Sequence, residues 1–318
     1  MTTERILVTG ATGFVGSHVV KRLLAETRRG ASPASLRLLT HRTSAPAEWA
    51  GAEVAGGSLT DPASLRGICD GVTTVMHLAA RIGGTEEECR EVNAEGTRAL
   101  LAEARRAGVG RVVQLGTAAV YKDVAHRGEA EGVLTEAPTS PTSVTRLEGE
   151  RLVLAAGGTV LRPHLIYGDG DTWMIPALVQ LLDKLPYWLD GGRARMSLVS
   201  VDALAGALAA LVRLPVGAVG GQVLHASHPQ PVSARELVTT VTGELGLEAP
   251  RGELTVAQAL ELLGAADDPV TRRRISLLAV DHWYDSTRLW SRVPAEPGPV
   301  FAEAFARHAP WYRALLSR

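Results

Sequence analysis

The chain has 318 residues and a mass of 33.6 kDa, long for one domain and sufficient for two. Its composition, 46% apolar and 21% charged, is that of a globular protein and excludes a disordered or fibrous chain. The 33 basic and 34 acidic residues nearly cancel, which leaves no basic field to attract nucleic acid or an anionic membrane. Two cysteines, Cys69 and Cys89, cannot build a disulfide framework, and no Cys/His pair has zinc spacing, so no metal site is expected. No leader pattern precedes Ile6 and no apolar run reaches ~20 residues, so a reduced, cytoplasmic protein is expected.

Taken in chain order, Ile6-Leu7-Val8 reads as a first strand, followed by a glycine-rich turn and a helical apolar face over 15–24. Further strands are expected at 36–39, around Val54, and at 75–78, 111–115 and 159–161. Helices are expected over 93–107 and 146–156. Strands alternating with helices imply right-handed crossovers, hence an α/β fold built on a Rossmann-type doubly wound parallel sheet. After Tyr167 this rhythm breaks, and Pro176, Pro186, Pro215, Pro229 and Pro231 punctuate mostly helical pieces. The chain is expected to return to the sheet near 198–212 and 222–226. No repeat of fixed period is present.

The strongest local signal is Thr9-Gly10-Ala11-Thr12-Gly13-Phe14-Val15-Gly16, between the first strand and the first helix. Gly10 permits the tight turn, Gly13 lets backbone approach a pyrophosphate, and Gly16 allows close helix–strand packing. The helix N-terminus then offers unpaired amides to phosphate. This segment, with Thr12, Phe14 and Val15, is expected to hold a dinucleotide. An NAD site places an acid after the second strand, on the ribose hydroxyls. Here the sequence is Thr40-His41-Arg42-Thr43-Ser44. With no acid, and with Arg42 and His41 able to meet a 2′-phosphate, NADP(H) is the expected cofactor. Ser58 and Leu59 would sit by the adenine, and Leu78, Ala79 and Ala80 beside the diphosphate. The division expected is an NADP-binding domain over 1–163 and 197–228, with a smaller, mostly helical substrate domain over 164–196 and 229–318.

With these pieces placed, the chain resembles the extended short-chain dehydrogenase/reductase family, in its epimerase/dehydratase-like branch. The likeness rests on TGATGFVGSHVV, GSLTDPASL, VMHLAA, VNAEGTRALLAEARRAGVGRVV, LRPHLIYGDG and SLVSVDALAGAL, in the family's order. It implies a Ser or Thr, a Tyr and a Lys as the catalytic set, and Thr117 matches the first. The Tyr–x₃–Lys element falls on Ser140-Pro141-Thr142-Ser143-Val144-Thr145-Arg146-Leu147-Glu148-Gly149-Glu150, which puts Thr142 at the tyrosine and Arg146 at the lysine. An aliphatic hydroxyl is a far poorer acid than a phenol, and arginine stays protonated, although its fork can bind ribose hydroxyls. The usual relay cannot operate. The resemblance also places Pro163, His164 and Ile166 over the nicotinamide.

Three readings follow. In the first, the chain is an NADPH-dependent ketoreductase whose aromatic substrate supplies the proton from a phenol beside the carbonyl, similar to angucyclinone ketoreductases of the simocyclinone type in polyketide antibiotic biosynthesis. In the second, His164 or Tyr121 replaces the missing acid. In the third, the chain binds NADP(H) as a sensor and is not an enzyme. Of 14 aromatic residues, six are Trp. Trp173 with Met174, and Tyr187 with Trp188, fall where the family builds its substrate cleft, and with Tyr121 and Ser143 they are the candidate contacts for a flat aromatic polyketide. Arg193 and Arg195 keep a nucleotide-sugar substrate open, Asp202 matches a structural position, and the run Arg272-Arg273-Arg274 reads as a solvated helix face. Oligomeric state is not legible.

Overall fold

The computed structural model describes residues 4–30, 34–41, 43, 45–264 and 268–317. The first half runs β1 (Arg5–Thr9), α1 (Phe14–Arg28), β2 (Ser35–Thr40), β3 (Glu53–Gly56), β4 (Thr74–His77), α2 (Glu86–Arg90), α3 (Thr97–Arg106), β5 (Arg111–Leu115), β6 (His126–Glu129), α4 (Pro141–Ala155), β7 (Thr159–Arg162) and β8 (Leu165–Tyr167). There follow α5 (Met174–Lys184), β9 (Trp188–Leu189), β10 (Arg195–Met196), β11 (Leu198–Ser200), α6 (Val201–Val212), β12 (Val223–His225), β13 (Val232–Ser233) and α7 (Ala234–Leu245). The chain ends with β14 (Glu253–Leu254), α8 (Val256–Leu262), α9 (Pro269–Ala279), β15 (His282–Tyr284), α10 (Thr287–Arg292) and α11 (Phe301–Leu316).

Seven strands form one parallel sheet in the order β12-β7-β5-β4-β1-β2-β3. The strand order reverses between β1 and β4, and a ligand crevice forms where the chain leaves such strands at their C-terminal ends. Every residue of β4 is buried, as expected of a central parallel strand covered on both faces. On one face, Val15, Val19, Val20, Leu23 and Leu24 of α1 pack in a common core with α6. α6 is apolar nearly all round and buried along its length, the pattern of a helix enclosed on both sides. Leu289 and Val293 reach back into this core from the second half. Leu65, Ile68, Val72 and Leu100 cover the opposite face. The α/β doubly wound reading is the observed architecture.

The second half builds a separate core from α5, α7 and α11 around Ile175, Leu237, Phe305 and Tyr312. A four-stranded sheet, β13-β10-β15-β6, joins it to the first half through β6. Three local expectations change. The helix expected at 93 begins at Thr97, because residues Glu91–Gly96 form a wide, π-type turn continuing from α2. α4 begins at Pro141, where Ser140 and Ser143 close a reciprocal cap. β11 pairs with β8 alone, so the chain rejoins the central sheet at β12 and not near 198.

Candidate active site

Residues 10–13 link β1 to α1 in a turn with little room. Gly10 has φ +67°, and a Cβ there would lie 2.6 Å from the Ala79 amide nitrogen at the end of β4. A Cβ on Gly16 would lie 2.0 Å from the Gly10 carbonyl oxygen, so α1 can sit this close only without a side chain. The Gly13 N–H donates to Gly10 O at 3.0 Å and closes the turn. α1 starts from Gly13 with no side-chain cap and no acid in its first turn, which leaves its leading amides and positive dipole end available.

Above this turn a cavity of about 510 Å³ runs from Thr12 and Gly13 past Thr40, His41 and Thr43 to Ser58 and Leu59, with Ala79, Ala80 and Arg81 on its far side. A second cavity of about 630 Å³ shares Gly10, Gly13, Leu78 and Ala80 with the first. It continues over Phe14, Val15 and Gly16 to Thr117, Arg146, Pro163, His164 and Ile166. All the residues expected at a dinucleotide line this pair of cavities except Arg42, which lies outside the described residues.

A buried polar chain fixes the floor between β1, β4 and α3. His77 Nδ1 lies 2.8 Å from Thr9 Oγ1, and its Nε2 lies 2.8 Å from Thr97 Oγ1. Thr97 donates to Asn93 O at 2.7 Å and so accepts from His77 Nε2–H, which leaves Nδ1 to accept from Thr9. Burial, reinforced by Arg146, pushes His77 down to about 4, and it is neutral. Asn93 clamps the loop after β4: its Oδ1 accepts from Arg81 N at 2.8 Å and its Nδ2 donates to Arg81 O and Thr145 Oγ1.

On α4, Arg146 lines the larger cavity, but its Nη2 donates to the carbonyls of Leu115 and Gly116 at 2.9 and 2.7 Å. Glu150, one turn on, is fully buried. It accepts from Thr117 N–H at 3.0 Å and from Arg162 Nε at 2.8 Å, and Arg162 reaches on to Glu136. Burial outweighs the two arginines beside it and pushes the Glu150 carboxyl up. Thr117 therefore has its backbone held by Glu150. Its Oγ1 accepts from Ala119 N–H at 3.2 Å, which leaves its own O–H free to donate into the cavity it lines.

His164 also lines that cavity. Burial and the neighbouring His282, Arg273 and His126 push its pKa well below the ordinary histidine value. It stacks on His282 at 5.7 Å, and its Nε2 is buried without a hydrogen-bond partner. The ring is neutral at physiological pH, which makes it a weak proton donor.

Other candidates lie elsewhere. Thr142 Oγ1 accepts from Gly83 N–H at 3.0 Å, near Cys89 Sγ, and Thr142 lines neither cavity. Ser143 is buried in the cap of α4. Tyr121 is buried with its hydroxyl 2.7 Å from His225 Nε2 and the Arg162 guanidinium over its ring. Tyr187 is outside the cavity, and Trp188 packs under Arg235, 4.2 Å from ring centre to guanidinium. Of the expected substrate contacts only Trp173 and Met174 line the cavity, Trp173 being 65% exposed; Tyr187, though exposed, does not line it. Asp202 is structural: with Asp169 it holds His18 and His308 between α1, α6 and α11.

Residues 6–225 match the NAD dependent epimerase/dehydratase family. The chain belongs to that family. It is 29% identical over 309 residues to the 2-alkyl-3-oxoalkanoate reductase of Stenotrophomonas maltophilia, covering 88% of this chain and 91% of the relative. It is 30% identical over 261 residues to the 4-hydroxy-2-methyl-3-oxo-4-farnesyl-3,4-dihydroquinoline-1-oxide ketoreductase of Stigmatella aurantiaca, covering 79% and 76%. Among solved structures it matches the dTDP-glucose 4,6-dehydratase DesIV of Streptomyces venezuelae, with NAD and TYD bound. That match has a TM-score of 0.76 at 23% identity and covers 98% of this chain and 97% of the other, which shows the fold.

The family's nicotinamide dinucleotide fits this chain. Both Gly10 and Gly16 exclude side chains from the phosphate turn, and the amides of α1 are uncapped where a diphosphate would lie. Sequence reasoning passed over His77, Asn93 and Glu150, which hold this family site in shape. A polar residue at the end of a buried strand (His77) and an acid one turn after a cavity-lining position (Glu150) were the available signals. Neither says what it bonds to until the chain is folded.

Proposed function

We propose that this family member is an NADPH-dependent ketoreductase that reduces a carbonyl of an aromatic polyketide in antibiotic biosynthesis, with a phenol of the substrate supplying the proton. The observation that carries this is the make-up of the larger cavity's wall. Among the described residues, its lining includes no Tyr, Lys or Glu. Its titratable members are Asp171, Arg146, Arg274 and His164. Both Asp171 oxygens are taken, by the amides of residues 173–175 and by the Tyr312 hydroxyl, and His164 is held neutral. The wall thus offers orientation without a side-chain acid, and ketoreductases among the chain's relatives favour carbonyl reduction over epimerisation.

When bound, the cofactor supplies the hydride. Thr117 Oγ–H donates to the substrate carbonyl and sets its face, held in place by Glu150 behind it. Arg146, anchored to the end of β5, presents its remaining donors to the ribose. A phenol hydrogen-bonded to the carbonyl passes its proton to the new alkoxide oxygen and is left as a phenolate, which solvent reprotonates. Exposed Trp173 and the apolar Met174 and Leu178 offer a surface on which a flat ring system packs. The absence of an acid in Thr40-His41-Arg42-Thr43-Ser44 supports NADPH as the cofactor, since an acid there would repel a 2′-phosphate. Steady-state kinetics with the two cofactors test this: kcat/KM with NADPH at least tenfold above that with NADH supports the assignment, and the reverse order removes it.

A further inference from the structure

α9 carries Arg274, Leu277 and Leu278 at positions i, i+3 and i+4, one face of the helix, and all three line the larger cavity. The adjoining wall, from Leu181 and Leu237, is apolar, so Arg274 is a cation set in an otherwise hydrophobic surface. The Arg run on α9 is therefore not one solvated face. Successive positions are rotated by ~100°, and Arg273 turns away to pair with Asp123 while Arg274 faces the cavity.

The other cation on this wall, Arg146, is engaged by two carbonyls. Arg274 has no hydrogen bond or ion pair among the described residues. Its electrostatic neighbour Asp268 caps the same helix, with its oxygens held by the amides of Val270 and Thr271. Among the described residues the one carboxylate on the cavity wall is Asp171, which is fully bonded elsewhere. An unengaged guanidinium beside two leucines matches a ligand with an apolar body and a planar anionic group, which its fork can take in two parallel hydrogen bonds.

We propose that the substrate carries a carboxylate and that Arg274 is the residue that recognises it. The inference rests on the ketoreductase reading for the word substrate, but the anion site itself can be measured without turnover. The test follows Trp fluorescence of the full chain, saturated with NADPH, on titration with two acid/amide pairs: anthracene-2-carboxylate with its carboxamide, and dodecanoate with dodecanamide. The acid is expected to bind about tenfold tighter than its amide in at least one pair. Arg274→Gln should remove that preference and leave amide affinity unchanged, and Arg274→Lys should restore part of it. Equal binding of acid and amide in both pairs, no binding of either pair, or loss of acid and amide alike in Arg274→Gln overturns the proposal. A preference seen only with dodecanoate keeps the anion site and counts against the aromatic substrate. A preference lost in Arg274→Gln, with no NADPH oxidation on any aromatic ketone offered, keeps the anion site and removes the ketoreductase reading.

Discussion

Thr142 and Arg146 stand one turn apart on α4, yet their side chains serve different neighbours: Thr142 accepts from the Gly83 amide, and Arg146 donates to the carbonyls of Leu115 and Gly116. In the family this pair of positions carries the proton relay. Here one hydroxyl fastens the loop after β4, and one guanidinium fastens the end of β5.

This relationship predicts that restoring the tyrosine alone restores nothing. Thr142→Tyr removes the acceptor for Gly83 N–H, and Arg146 stays protonated and cannot relay a proton to a new phenol. Turnover of the preferred ketone should stay the same or fall in this variant, as measured by initial rates of NADPH oxidation. A rate gain of more than tenfold would show that a protein acid had been the missing element.

His164 is predicted to position the substrate and not to protonate it. Its ring is neutral because it is buried against His282 and near Arg273. His164→Asn should lower kcat by less than about tenfold, and the pH–rate profile between 5 and 8 should keep its shape. Disappearance of a titration in that range on substitution would make His164 the acid.

Gly16→Ala places a methyl group 2.0 Å from the Gly10 carbonyl, where backbone must move. Overpacking of this kind costs about 1–3 kcal/mol. It acts here on the turn that would hold the diphosphate. Fluorescence titration should show NADPH affinity reduced at least tenfold, together with a lower Tm. Unchanged affinity would place the dinucleotide elsewhere.

The joint between α1, α6 and α11 predicts a pH dependence of stability. Both ring nitrogens of His18 face acceptors, Asp202 Oδ1 at 3.0 Å and Asp169 O at 2.9 Å, and although burial opposes it, these bonds raise its pKa above the ordinary 6.5. A raised folded-state pKa means that the contribution is complete below the unfolded value, near 6.5, and is lost as pH rises through the folded one. Asp202 is well exposed, so the effect is screened and amounts to about 1 kcal/mol or less. Thermal melts should show His18→Ala destabilised more at pH 5.5 than at pH 8.5. Equal loss at both would mean that His18 contributes only by packing.

Much of the fold was legible because its signals are local. The turn glycines sit at fixed offsets between a strand and a helix, and the strands of the parallel sheet are short aliphatic runs. What failed depended on partners distant in sequence. Tyr121 looked available for substrate, but His225, over a hundred residues away, takes its hydroxyl. Arg274 is exposed, as a run of charge suggests, but only the fold of α9 shows that it also lines the cavity while Arg273 pairs with Asp123. Ser143 is expected as a substrate contact, whereas the start of α4 uses it as a cap.

The central claim is that the proton comes from the substrate. Initial rates of NADPH oxidation on paired aromatic ketones, alike except for a hydroxyl beside the carbonyl, test it directly. Turnover confined to the hydroxylated member of each pair is the predicted result. Equal turnover of both members would return the proton donor to the protein and contradict the account.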